Sequence, residues 1–100
     1  MKISEKNLRL IKKLCKEYKV KHFSVFGSVL RNDYSADSDI DFLVDFNEND
    51  PIKYADLYFQ LKDNLEQLFK RKIDLVEERA IKNPFFRKEI DNSKIVLYGQ

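Results

Sequence analysis

The segment FGSVLRNDYSADSDIDFLVDF, residues 26–46, contains the most informative pattern of this sequence. It begins with an apolar run that ends at a glycine-serine pair, Gly27 and Ser28. It continues with aspartates at alternating positions, and the last two of these, Asp39 and Asp41, lie directly before the apolar residues 42–44. Alternating acidic residues usually occupy a solvated loop. Here they lead into a stretch typical of a buried strand, so the chain brings carboxylates to the edge of its own core.

On either side of this segment, the hydrophobic period alternates between that of helices and that of strands. The first half of the chain predicts a helix over residues 4–19 capped by Ser4, a strand over 21–27 and a strand over 37–46. A second helix begins at Asp50-Pro51 and carries apolar residues to Phe69, and a strand follows over 72–77. The last elements are a short helix from Asn83-Pro84 through about Ile90 and a final strand or extended tail over 94–98. This order predicts an α/β domain of the α+β two-layer kind, with a small mixed β-sheet flanked by helices that cover one face. We expect a single domain over residues 1–100.

The composition is that of an ordinary globular protein. Of the 100 residues, 43% are hydrophobic and 36% are charged, and the net charge is +2, so electrostatics give no sign of a nucleic-acid partner or an anionic membrane. The single cysteine, Cys15, cannot form an internal disulfide, which suits a reducing compartment. No apolar run approaches membrane-spanning length. We therefore expect a cytoplasmic protein that binds neither a membrane nor nucleic acid.

The acidic residues at the strand edges predict a cation site. On a strand, Asp39 and Asp41 point the same way, about 7 Å apart, and Asp74 would lie about 5 Å across if its strand is the neighbour. Such carboxylates repel by about 1 kcal/mol per pair in water and by several kcal/mol at a protein dielectric, and no Lys or Arg lies within residues 39–46. A divalent cation would remove the conflict, and hard oxygen ligands suit magnesium. Alternatively, the pair is the fraying end of a strand, and Asp74 is unrelated.

The Gly27-Ser28 pair helps to choose between a cation site and a frayed strand end, because the pair directly follows a predicted strand. The next residues can form a helical turn, whose first N–H groups and dipole favour an anion. Gly27 would let a phosphate approach the backbone, and Ser28 would add a hydroxyl donor. An ordinary turn is the simpler interpretation of the pair alone. Its combination with the acidic residues favours a site for a phosphate and a metal ion.

Two other motifs compete for this segment. A P-loop requires Gly-Lys-Ser/Thr, which is absent. An EF-hand loop fits better, because Asp37, Asp39, Asp41 and Glu48 stand at its first, third, fifth and twelfth positions. Its sixth position needs a glycine for a sharp turn, and Phe42 stands there. The EF-hand interpretation is therefore the weaker one.

Gly27-Ser28, Asp39-Ile-Asp41 and the later Asp74 together resemble the signature of the nucleotidyltransferase superfamily related to DNA polymerase β. The small size and the ending NPFFRKEIDNSKIVLYG resemble the minimal nucleotidyltransferase (MNT) group of bacteria and archaea. The resemblance covers nearly the whole chain, and it implies a polymerase β palm-like fold.

Further positions in the segment bear on this resemblance. Arg31 and Ser38 match the usual pattern of the group, and the resemblance implies that they bind the nucleotide together with the glycine-serine pair. Leu30 and Asn32 depart from the pattern, since small residues are common at those positions. This departure bears on the geometry expected of the phosphate-side loop, and hence on the catalytic rate.

The resemblance also implies an activity. Asp39 and Asp41 would hold two magnesium ions, and Asp74 would ligate the catalytic ion and help to activate an acceptor hydroxyl. ATP would be the substrate, and the products would be an AMP ester and pyrophosphate. Family members of this size resemble antitoxins that transfer AMP onto a HEPN-type toxin.

Two alternatives remain open from the sequence. One is a non-catalytic binding antitoxin of the same fold, and the other is a nucleotidyltransferase that modifies a small molecule such as an aminoglycoside. The acid trio favours catalysis, because a mere scaffold gains nothing from clustered repelling charges. The sequence does not identify the acceptor or the preferred nucleobase, and it leaves both homo- and hetero-oligomers open.

Overall fold

The computed structural model describes residues 3–27 and 39–99. Along these residues the elements are α1 (Glu5–Glu17), β1 (Val20–Phe26), β2 (Ile40–Phe46), α2 (Pro51–Phe69), β3 (Ile73–Glu77), a 3-10 turn (Glu78–Ala80), α3 (Pro84–Ser93) and β4 (Ile95–Tyr98). The strands form one sheet in the order β3-β2-β1-β4. β1 is antiparallel to both β2 and β4, whereas β2 and β3 are parallel. The predicted mixed sheet is confirmed, and the segment left open as strand or tail is strand β4.

Each of the three α-helices in the described residues begins at the polar residue that the sequence predicts. The Ser4 hydroxyl accepts a hydrogen bond from a backbone N–H three residues on, at 3.1 Å. The carboxylate of Asp50 and the side-chain amide oxygen of Asn83 each accept two backbone N–H groups, the shorter bond being 2.9 Å in both cases. These side chains satisfy N–H groups that have no partner within the helix. Among the described helices, none has the length and apolar character needed to cross a membrane.

One face of the sheet, here called the core face, packs under α1 and α2. Its buried cluster contains Ile11, Cys15, Phe23, Val25, Ile40, Phe42, Val44, Phe46, Leu61, Leu65, Ile73 and Leu75. Phe42 has no exposed surface, and its ring stacks on Phe23 with the centroids 4.8 Å apart. Burying a large apolar side chain stabilises the fold by about 1.5–3 kcal/mol, so this face supplies most of the hydrophobic stabilisation.

The opposite face, here called the acidic face because it carries Asp41, is crossed by α3. Ile90 of α3 is buried against Phe26 and Leu43, which alternate in sequence with core-face residues. Sequence analysis placed the helices on one face only, which holds for α1 and α2 but not for α3. The helix also extends to Ser93, beyond the predicted end near Ile90.

The second strand begins later than its sequence predicts. Residues 37–46 read as one strand, but β2 starts at Ile40, and Asp39 is an exposed residue just before it. Residues 37 and 38 lie outside the described part of the chain. Asp41 is therefore a strand residue, whereas Asp39 belongs to the approach to the strand.

Candidate active site

Asp41 and Asp74 lie side by side at one end of the acidic face. The parallel register of β2 and β3 pairs them directly, and adjacent strands lie about 4.8 Å apart. Their strand neighbours Phe42 and Leu75 point into the core, so both carboxylates belong to the opposite face. Asp41 is half-buried and Asp74 is exposed. The condition under which the sequence places Asp74 beside this strand, that β2 and β3 are neighbours, is met.

Asp39 reaches the same end of the sheet from the segment that enters β2. The N–H of Ile40 donates to the carbonyl oxygen of Lys72 at 3.3 Å, which joins the starts of β2 and β3. Asp39 precedes that bond by one residue and is exposed to solvent. The structure thus brings three of the predicted site residues, Asp39, Asp41 and Asp74, to one corner of the sheet.

Gly27 ends β1 directly against this corner. Its φ of +82° lies in the left-handed region, which favours glycine. A Cβ at this position would collide with Oδ2 of Asp41 and would lie 3.0 Å from Cγ of the same residue. The sequence interpretation required a glycine so that a phosphate could approach. In the structure, the group that excludes a side chain at Gly27 is the Asp41 carboxylate itself.

The other predicted nucleotide-binding residues are Ser28, Arg31 and Ser38. They lie outside the described residues, as do Leu30 and Asn32. Their assignments therefore remain predictions.

A cleft of about 270 Å³ opens beside Asp41, between the end of β1 and α3. Its lining consists of Phe26, Gly27, Asp41, Phe86, Glu89, Ile90 and Ser93. Sequence reasoning missed the residues of α3 in this lining. Their spacing of three and four residues places them on one side of a helix, but nothing in the local sequence indicates which sheet face that side covers.

Helix α2 holds β3 in place from the core face. The hydroxyl of Tyr58 donates to the carbonyl oxygen of Leu75 at 2.6 Å, one residue after Asp74. Burial raises the pKa of Tyr58, and the negative charges of Glu77 and Asp74 raise it further. The phenol therefore stays protonated and keeps donating at neutral pH.

Paired carboxylates at the starts of two parallel strands, beside a glycine that ends a third strand, offer oxygen ligands for a cation next to an open stretch of backbone. The family described as "Polymerase beta, Nucleotidyltransferase" matches residues 9–100. The chain belongs to this nucleotidyltransferase family.

Relatives of similar length share most of the chain. One relative, a Methanocaldococcus jannaschii protein named by inference as a protein adenylyltransferase, is 47% identical to this chain. The match spans 92 residues, 90% of each chain. The protein adenylyltransferase MntA of Thermococcus cleftensis is 36% identical over 72 residues, which are 72% of this chain and 70% of that protein.

Solved structures show the same fold. A structure described as a minimal nucleotidyltransferase superposes with a TM-score of 0.74 at 31% identity, covering 90% of this chain and 88% of that one. The complex of a tri-AMPylated Shewanella oneidensis HEPN toxin with an MNT antitoxin matches with a TM-score of 0.65 at 22% identity, covering 96% of this chain and 72% of the matched chain.

Proposed function

We propose that this chain transfers AMP from ATP to a hydroxyl group of a HEPN-type partner protein, as the antitoxin of a toxin–antitoxin pair. The observation that carries the proposal is the pairing of Asp41 with Asp74 across parallel strands, with Gly27 packed against Asp41. Two relatives named as protein adenylyltransferases support it. So does the shared fold of an MNT antitoxin whose HEPN toxin carries AMP groups.

Asp39, Asp41 and Asp74 are the residues that would hold two magnesium ions. They fit this role because carboxylates are hard oxygen ligands, and Asp39 and Asp74 are exposed, so water and phosphate oxygens can reach the same ions. Bound magnesium would offset the negative charge of the triphosphate and of the attacking and leaving oxygens. The predicted phosphate contacts come from the Gly27-Ser28 pair, with Arg31 and Ser38 as further nucleotide-binding residues.

The transfer is a displacement at the α-phosphorus of ATP. The acceptor oxygen forms a bond to this phosphorus while the bond to the oxygen that bridges the α- and β-phosphorus breaks, and pyrophosphate leaves with that oxygen. The hydroxyl proton passes to Asp74, whose exposed carboxylate can return it to solvent. The chain's own residues therefore hold the triphosphate and accept the proton of the acceptor hydroxyl.

A protein acceptor suits the shape of the site better than a small molecule. The cleft beside Asp41 measures about 270 Å³ and is walled by α3 on one side, whereas Asp39 and Asp74 are open to solvent. Pockets for small ligands typically enclose about 300–1,000 Å³ and bury most of the ligand. A docked partner would cover the side of the site that the described residues leave open, and it would orient its own hydroxyl. Cys15, a buried free thiol, fits a cytoplasmic setting for this reaction.

The test uses the protein encoded by the neighbouring gene as the acceptor. The two proteins are incubated with ATP and magnesium, and intact-mass spectrometry measures added AMP. We expect AMP on the partner with the unaltered chain and its loss with Asp39→Asn and with Asp74→Asn. Asp56→Asn is the matched control, because it makes the same chemical change at an exposed position of α2 and should leave the transfer intact.

Two outcomes would overturn the proposal. A tight complex that neutralises the partner without any added AMP would make the chain a non-catalytic binding antitoxin. Rapid adenylylation of a free aminoglycoside by this chain alone, with no modified protein, would make it a small-molecule enzyme.

A further inference from the structure

A second polar cluster lies on the acidic face, at the other end from the catalytic carboxylates. It consists of His22 on β1, Asp45 on β2 and Glu78 in the 3-10 turn after β3, and one ligand atom of each lies within 4.8 Å of the others. Asp45 is four residues along β2 from Asp41, a separation of about 13 Å. The cluster is therefore distinct from the site that binds nucleotide in the proposed function.

The three side chains are partly shielded from water. Their exposed fractions are 34% for His22, 18% for Asp45 and 19% for Glu78. The β1–β2 register pairs His22 with Asp45, and Nδ1 of His22 lies 3.4 Å from Oε2 of Glu78. Two ligands about 2.1 Å from one tetrahedral ion lie about 3.4 Å apart, so this spacing is that of two ligands of a zinc ion.

Each of the two carboxylates is held by an arginine side chain that donates to only one of its oxygens. Nε and Nη2 of Arg79 both donate to Oδ1 of Asp45, at 3.0 and 2.9 Å. Nη2 of Arg87 donates to Oε1 of Glu78 at 2.9 Å, whereas Oε2 of Glu78 is the atom near His22. Metal ligands are commonly held in this way by outer hydrogen bonds.

A cavity opens directly beside the cluster and leaves room for further ligands of an ion. It measures about 160 Å³ and is lined by His22, Ser24, Leu43, Glu78, Lys94 and Val96. Ser24, which is only 3% exposed, contributes to this lining. The cavity is polar on the side of the cluster and large enough for several water molecules, which could complete the coordination of an ion.

We propose that His22, Asp45 and Glu78 bind one divalent transition-metal ion of the Zn²⁺ class, with water in the cavity completing its coordination. Imidazole nitrogen suits zinc, whereas magnesium requires oxygen ligands and keeps much of its water. Arg79 and Arg87 form ion pairs with the two carboxylates and offset their negative charge. An ion that binds by charge attraction alone is therefore disfavoured, and the bond from the imidazole of His22 decides which metal binds. The ion ties β1, β2 and the turn after β3 together.

The experiment titrates ZnCl₂ into the nucleotide-free protein in excess Mg²⁺, by calorimetry and by ¹⁵N NMR of the imidazole. His22 is the single histidine of the chain, so its ring signals report directly on coordination. We expect one Zn²⁺ per chain and a shift of the Nδ1 resonance. His22→Gln and Glu78→Gln should each weaken binding by at least about tenfold. Circular dichroism checks that each variant is folded.

The double variant Asp39→Asn/Asp74→Asn separates this site from the catalytic corner, and it should bind Zn²⁺ as the unaltered chain does. The inference is overturned if no stoichiometric Zn²⁺ binds, if His22→Gln binds as tightly as the unaltered chain, or if the double variant loses the ion. None of these outcomes bears on AMP transfer, so this inference and the proposed function stand or fall separately.

Discussion

The two faces of the sheet are built from the same strands and differ in what covers them. On the core face, Phe42 and Val44 of β2 have no exposed surface and pack under two helices. On the acidic face, Asp41 and Asp45 are half-buried, and α3 covers only part of the surface. The comparison shows a division of roles. The core face supplies the hydrophobic stabilisation, which allows the acidic face to keep charged groups that a fully covered face would exclude.

The acidic face is itself divided by an apolar strip. Phe26, Leu43 and Ile90 pack together across its middle. Asp41 lies on one side of this strip in β2, and Asp45 lies on the other side. Each end therefore has its own polar neighbours, and each can be altered separately. The predictions below test how far stability on one face is independent of chemistry on the other.

The largest expected effect is the loss of stability in Phe42→Ala. This side chain is fully buried and contacts the rings of Phe23 and Phe69, so its removal leaves a cavity in the core. The free energy of unfolding should fall by about 3–5 kcal/mol, measured by urea denaturation. Phe59→Ala is the matched control: Phe59 is 65% exposed on α2, and its removal should cost less than about 0.5 kcal/mol. Equal losses would contradict the assignment of the core face.

The next effect is a loss of stability at alkaline pH that comes from Cys15. Burial raises the pKa of this thiol from 9.0 to about 12. Between these values the folded protein keeps the proton and the unfolded chain loses it, so the free energy of unfolding falls as pH rises, by up to about 1.4 kcal/mol per pH unit. Cys15→Ala should flatten this slope between pH 9 and 10, an interval in which the tyrosines contribute equally to both proteins. Urea titrations that give the same slope for both proteins would show that the thiol is not protected in the core.

Gly27→Ala should reduce both stability and AMP transfer. Its positive φ costs about 1–3 kcal/mol for a residue with a side chain, and the added Cβ would push against the Asp41 carboxylate. Gly99→Ala is the control, because Gly99 also has a positive φ and a crowded Cβ position but lies beside Lys21, outside the cleft. Thermal unfolding should show a loss in both variants, whereas mass spectrometry of the partner should show reduced transfer only for Gly27→Ala. Equal transfer by the two would separate Gly27 from the active site.

Local patterns in the sequence predict what depends on neighbouring residues along the chain. The caps at Ser4, Asp50 and Asn83 identify the helix starts, because a capping side chain acts within one helical turn. The period of two in β2 identifies the core face in the same way. The pairing of Asp41 with Asp74 required one further assumption, that β2 and β3 are neighbours, and the register bears it out.

The features that the sequence does not predict depend on contacts between distant segments. The position of α3 depends on Ile90 packing against β1 and β2 and on the ion pair between Arg87 and Glu78. The Phe86 and Glu89 wall of the cleft follows from that packing, so no local pattern could indicate it. The cluster around His22 likewise joins three separate elements, and in the sequence His22 reads as an ordinary strand residue.

The smallest effect is expected for Tyr58→Phe, which tests whether the core face positions the chemistry on the acidic face. The change removes the hydrogen bond to the carbonyl oxygen of Leu75 at 2.6 Å and should lower the free energy of unfolding by about 1 kcal/mol. Burial raises the pKa of the Tyr58 phenol in the folded protein, so above about pH 10 the unfolded chain loses this proton more readily than the folded protein does. The difference in stability between the unaltered protein and Tyr58→Phe should therefore shrink as pH rises above about 10. AMP transfer should stay within about twofold, since the backbone ladder with β2 still holds Asp74 beside Asp41.

Tyr18→Phe is the control for this last change. The hydroxyl of Tyr18 accepts a part-buried hydrogen bond from the side-chain amide of Asn64 at 3.1 Å, longer than the bond of Tyr58. The control substitution should cost less stability than Tyr58→Phe and leave transfer unchanged. Urea denaturation at pH 8 and a transfer assay at the same pH compare the two variants directly. If transfer by Tyr58→Phe falls tenfold or more while the Tyr18 variant stays active, then the strand ladder alone does not hold Asp74 in place. In that case α2 positions Asp74 from the opposite face, and the two faces do not act independently.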